Sequence, residues 1–81
     1  MVISGLYIES VRGMAQETAK RLKKVKGVDV HYIEDNFKII ITIEADTVNK
    51  SYEIAESLKN IEGVLTVCLA YSNFEEDPIY Q

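Results

Sequence analysis

The side chains that could carry covalent or metal chemistry are few and solitary in this chain. Cys68 is the single cysteine and His31 the single histidine. A lone cysteine makes no internal disulfide and no paired-thiolate metal site. It is a partly buried small hydrophobe or an isolated thiol. His31 falls in a strand pattern with no serine or cysteine nucleophile near it, so it reads as an exposed residue without a catalytic role. The loop after the first strand, Ser10-Val11-Arg12-Gly13, lacks the Cys-x-x-Cys of a heavy-metal carrier. Arg12 alone is a weak match to the arginine-bearing phosphate loop of an acylphosphatase-like enzyme. Carboxylate pairs, phosphate-cradling glycine loops and metal-ligand spacings are not visible. The expectation is a protein without catalytic residues, metal or cofactor.

What must position any site is one small domain. Eighty-one residues, 47% hydrophobic and 27% charged, are too polar to span a membrane and too apolar to be disordered. A chain of this size buries only about 60% of its unfolded surface, leaving little for an enclosed cavity, so recognition is expected on a surface. The start, Met1-Val2-Ile3-Ser4-Gly5, lacks the basic and long apolar regions of a secretory signal, so a cytoplasmic location is expected. A net charge of −4 argues against nucleic acid and leaves a basic peptide or protein as a plausible partner. Lys20, Arg21, Lys23, Lys24 and Lys26 are concentrated at the end of the first helical pattern, where the helix dipole favours cations. They read as a solvated face. An RNA-binding module of similar topology would add stacking aromatics in a Lys/Arg-Gly-aromatic motif, which Tyr7 and Phe37 do not make.

The chain repeats itself. Leu22-Lys23-Lys24-Val25-Lys26-Gly27-Val28 aligns without gaps on Leu58-Lys59-Asn60-Ile61-Glu62-Gly63-Val64, offset by 63 − 27 = 36 residues. Each copy ends a helical pattern and begins a strand. A strand over Val2–Glu9 precedes a helix with the stripe Met14/Ala15, Thr18/Ala19, Leu22 and Val25. Val28 to Ile33 and Phe37 to Glu44 alternate as two strands around the polar turn Glu34-Asp35-Asn36. Asp46 or Thr47 caps a second helix bearing Val48, Ser51/Tyr52, Ala55, Leu58 and Ile61, and Val64 to Ser72 is the last strand. The order βαββαβ predicts an α+β, ferredoxin-like domain over residues 1–74: a four-stranded antiparallel sheet, order 4-1-3-2, with both helices on one face. Residues 75–81 form an acidic tail expected to be mobile.

A sheet covered on one side leaves the other bare. Leu6, Ile8, Val30, Ile39, Ile41, Ile43, Val67 and Leu69 are expected to face the helices. Ile3, Gly5, Tyr7, Ile33, Lys38, Ile40, Thr42, Thr66, Cys68 and Ala70 are expected to face outward. Gly5 beside Thr66, Cys68 and Ala70, bordered by Ile3, Tyr7 and Ile40, would form a shallow apolar trough into which an amphipathic helix fits. A simply solvated face and a homodimer interface are equally open readings of the same residues. Glu34-Asp35 and Glu75-Glu76-Asp77 are either solubilising or an acidic rim that pairs with arginine through two parallel hydrogen bonds.

Ile3-Ser4-Gly5-Leu6-Tyr7-Ile8, Gly27-Val28-Asp29-Val30, Ile39-Ile40-Ile41-Thr42-Ile43-Glu44-Ala45-Asp46 and Ile61-Glu62-Gly63-Val64-Leu65-Thr66-Val67-Cys68-Leu69-Ala70-Tyr71 resemble the NapD family. These are small cytoplasmic chaperones of the periplasmic nitrate reductase, and the likeness runs from about Val2 to Glu76. The resemblance implies binding of the twin-arginine signal peptide of that enzyme's catalytic subunit, delaying export until cofactor insertion. The candidate peptide-binding residues are then Ile3, Gly5, Tyr7, Ile40, Thr66, Cys68, Ala70, Glu75 and Glu76, with weak self-association as a further expectation. Tyr7, Tyr32 and Ser72 differ from the family's habit. A competing class is an ACT-like or Lrp-type regulatory or oligomerisation domain, which shares the topology and binds small metabolites at subunit interfaces.

Overall fold

The structure, a computed structural model, describes residues 1–73, so the acidic tail with Glu75 and Glu76 lies outside the described residues. The elements are β1 (Val2–Ser10), α1 (Ala15–Lys23), β2 (Val28–Glu34), β3 (Lys38–Ala45), α2 (Val48–Leu58) and β4 (Val64–Asn73). They form one four-stranded sheet in the order β2-β3-β1-β4, the ferredoxin-like arrangement read from the repeat. β1 pairs with β3 without interruption from Val2↔Ala45 to Glu9↔Lys38. The two edge pairings are interrupted: β2 shifts register between Val30 and Tyr32, and β4 shifts between the partners of Gly5 and Leu6 and of Glu9 and Ser10.

Local chemistry explains the element ends. Asp35 and Asn36 both take positive φ (53° and 65°), and Phe37 N–H donates to the Glu34 carbonyl at 3.2 Å, a tight turn suited to a two-residue hairpin. Thr47, rather than Asp46, caps α2: its Oγ1 accepts from the Lys50 N–H at 3.1 Å. Gly27 (φ +88°) and Gly63 (φ +99°), the equivalent glycines of the repeat, adopt the left-handed backbone that a Cβ penalises. Both are also tightly packed. A Cβ on Gly27 would lie 2.8 Å from the Glu44 carbonyl oxygen, and one on Gly63 would run into the side chain of Thr18, which is fully buried.

Gly63→Ala therefore combines backbone strain with a steric conflict and is expected to cost about 2–3 kcal/mol in urea denaturation. Thr18→Ala in the Gly63→Ala background removes the conflicting hydroxyl and should return part of that loss. A double variant no more stable than Gly63→Ala alone would show that the backbone conformation accounts for all of it.

The core lies between the helices and one face of the sheet. Leu6, Ile8, Ile39, Ile41 and Ile43 from the central strands meet Ala15, Ala19 and Leu22 of α1 and Leu58 of α2. Each fully buried Ile or Leu contributes roughly 1.5–3 kcal/mol relative to exposure. Leu22 and Leu58 hold equivalent places in the repeat, and both are completely buried. β1 is joined to α2 by a buried hydrogen bond between the Ser4 and Ser51 hydroxyls at 3.3 Å.

Candidate functional site

The helix-free face is built from cross-strand rows set by register. Tyr32, Ile40, Tyr7 and Cys68 occupy one row from β2 to β4. Glu34, Lys38, Glu9 and Thr66 occupy the next, toward the hairpin end. On the other side, Asp29 and Thr42 lead to Gly5, and beyond them Glu44 is opposite Ile3. Ionised groups thus stand at the ends and edge of this face, and its middle is uncharged. A shallow depression of about 460 Å³ occupies that middle. Gly5, Tyr7, Ile40 and Thr42 line it between Ala70 on one side and His31 and Tyr32 on the other.

The register shift in β2 accounts for the depression's second wall. His31 is the extra residue between Val30, opposite Ile41, and Tyr32, opposite Ile40. A two-residue alternation places Tyr32 toward the helices and Ile33 outward; the bulge reverses both, because one inserted residue exchanges the faces of all that follow. Ile33 packs against the core, and Tyr32 stands 56% exposed on the open face. The apolar spacing Val28, Val30, Ile33 contained the signal, a step of three where regular alternation takes two. His31 is held by a 2.9 Å hydrogen bond between Nε2 and Thr42 Oγ1.

Of the residues picked from the sequence, Gly5, Tyr7, Ile40 and Ala70 are brought together around the depression. Ile3, Thr66 and Cys68 lie on the same face by register, outside its walls. Glu75 and Glu76 lie beyond the described residues. His31, Tyr32 and Thr42 were not among the chosen site residues and belong to the depression. On the helix side, Val30 and Val67 pack against the core as expected, whereas Leu69 is 59% exposed. It lines a smaller apolar opening of about 180 Å³ between β4 and α2, beside Tyr52 and Ala55.

Polar contacts sharpen the hairpin end of the open face. Lys38 Nζ stands over the Tyr7 ring, 5.0 Å from its centroid, whereas the Arg12 guanidinium, 4.8 Å over Phe37, belongs to the hairpin end with the parity of core-facing Ile39 and not to the open face. Thr66 Oγ1 donates to Glu9 Oε1 at 2.8 Å. The Tyr7 phenol is raised above its usual pKa, first by a side-chain hydrogen bond with Cys68, then by charge on Cys68, with slight desolvation and Glu9 adding to it. The Tyr7 ring presents the electron-rich face that cations seek. No cluster of three or more potential metal ligands occurs among the described residues, and no helix among them is long and apolar enough to cross a membrane.

The model of the family described as NapD protein matches residues 1–76. The solution structure of the E. coli Tat proofreading chaperone protein NapD is similar to this chain with a TM-score of 0.79 and 25% sequence identity. The similarity covers 93% of this chain and 80% of that one. None of the curated proteins compared with the chain matches it.

Proposed function

Because the chain belongs to the NapD family, we propose that it is a cytoplasmic proofreading chaperone, not an enzyme. Its client is the twin-arginine signal peptide of a molybdenum-dependent nitrate reductase, held back from export until the cofactors are in place. The observation that carries this reading is the uncharged depression on the open face of the sheet, bordered by Glu9, Glu34 and Glu44. A signal peptide is basic at its start and apolar beyond it. Such a segment matches a surface that is apolar in the middle and carboxylate-bearing at its ends. The apolar stretch, folded as a helix, would lay one face across Gly5, Ile40 and Ala70, and the arginines would reach the carboxylates.

Folding of the peptide on binding costs about 2–5 kcal/mol of ordering, which keeps the complex reversible so that the client can be handed on.

The test is calorimetry with a synthetic twin-arginine leader peptide, paired arginines followed by an apolar stretch, titrated into the protein. Binding in the micromolar range or tighter, with a negative heat-capacity change from apolar burial, is the expected result. A leader that produces no heat and no shift of amide resonances on the open face would overturn the reading.

A further inference from the structure

We infer that Tyr7 and Glu9 form the receptor for one arginine of the bound peptide, and that Lys38 occupies this receptor in the free protein. The inference rests on the function proposed above and deepens it.

The geometry starts from β1. Tyr7 and Glu9 are two residues apart on one strand, so both face outward, about 7 Å apart along it. Register places Lys38 directly opposite Glu9 on β3 and Glu34 opposite Lys38 on β2. Lys38 thus has a carboxylate on either side in its row, yet its ammonium stands over the Tyr7 ring, 5.0 Å from the centroid. The ring, adjoining the apolar depression through Ile40, already serves as a cation site.

An arginine fits that site better than the lysine does. A guanidinium is planar, so it can stack on the ring while its edge donates two parallel hydrogen bonds to a carboxylate. Glu9 has a free share of its carboxylate for this, since Thr66 engages one oxygen, Oε1, and thereby steadies the group. The ammonium of Lys38 offers only a point charge. On arrival of the peptide, Lys38 swings off the ring toward Glu34, and the incoming guanidinium takes its place. Lys38 is then an internal competitor: it lowers affinity for every ligand that needs the ring and selects for those that bring a guanidinium.

The test uses two synthetic leader peptides, one with its paired arginines and one with both replaced by citrulline, which keeps the shape and removes the charge. Wild type is expected to prefer the arginine peptide roughly tenfold, the size of one cation–π contact plus one exposed ion pair. Tyr7→Leu and Glu9→Gln should each cut that preference to about threefold or less, whereas Tyr7→Phe, which keeps the ring, preserves it. Lys38→Gln should tighten the arginine peptide two- to fivefold, leave the citrulline peptide unchanged, and lose its effect in the Tyr7→Leu background. Thermal melts establish that each variant is folded.

Failure takes distinguishable forms. If wild type binds both peptides equally, or if Tyr7→Leu and Glu9→Gln keep the full preference, the receptor assignment falls while the chaperone reading stands. If Lys38→Gln tightens the arginine peptide as much in the Tyr7→Leu background as in wild type, Lys38 acts by general repulsion, and if it tightens both peptides alike, Lys38 acts without regard to charge; either result overturns its role as competitor. If wild type binds neither peptide, the proposed function and this inference fall together.

Discussion

Replacing Gly5 with isoleucine, or Ala70 with phenylalanine, is expected to weaken binding of the leader peptide by roughly a hundredfold, or about 2.7 kcal/mol. Gly5 lies on a central strand, between Thr42 of β3 and Tyr71 of β4, and lines the depression without a side chain of its own. A branched side chain there would rise into the space a helix must enter. The loss follows from area. At about 25 cal/mol per Å², holding a helix off the surface by one side-chain thickness forfeits on the order of 100 Å² of apolar contact. Gly5 is a buried position, so a thermal melt must first show that Gly5→Ile folds, and exposed Ala70→Phe carries the test independently. Ala70 is exposed and is the extra residue of a bulge, opposite neither Gly5 nor Leu6. Tyr52→Ala, on the far side of the sheet, is the control and should leave affinity unchanged. Titration of all three against one peptide checks the idea, and full affinity in both Gly5→Ile and Ala70→Phe would remove the depression as the binding surface.

The second large effect concerns stability. Leu22→Ala and Leu58→Ala are each expected to cost about 3 kcal/mol, since each side chain is fully buried and each truncation adds a cavity to the lost transfer energy. A chain of 81 residues has only about 4–12 kcal/mol of total stability at the usual value per residue. The double variant should therefore sit near or past its unfolding midpoint at 25 °C. Urea titration followed by circular dichroism measures all three. A double variant retaining most of the wild-type stability would mean that the two helices do not share the load the repeat assigns them.

The fold was legible because its determinants are local and come in duplicate. Gly27 and Gly63 end equivalent helices with equivalent positive φ, and Leu22 and Leu58 fill equivalent holes. Phe37 to Glu44 alternates cleanly because β3 is central and pairs regularly with β1. The site was legible only in part. Gly5, Tyr7 and Ile40 lie on the two central strands, where a period of two holds, and the parity assigned to them is the one the structure shows. His31 and Tyr32 escaped because β2 is an edge strand with a bulge, and a bulge leaves no compositional mark beyond the step from Val30 to Ile33. Leu69 was assigned to the interior on correct parity, yet an edge strand overhanging α2 leaves it 59% exposed. Parity tells which side a residue faces; coverage depends on where the neighbouring helix ends.

All three register shifts lie in the outer pairings, β2 with β3 and β4 with β1, and none interrupts the central pair. A bulge coils a strand and breaks the even spacing of its unpaired N–H and C=O groups. Both rims of the sheet are thereby poor templates for an additional strand, which guards a small, half-uncovered protein against sticking rim to rim with its own kind. The same distortion leaves the flat of the sheet as the better landing ground for an extended newcomer that folds as it is held.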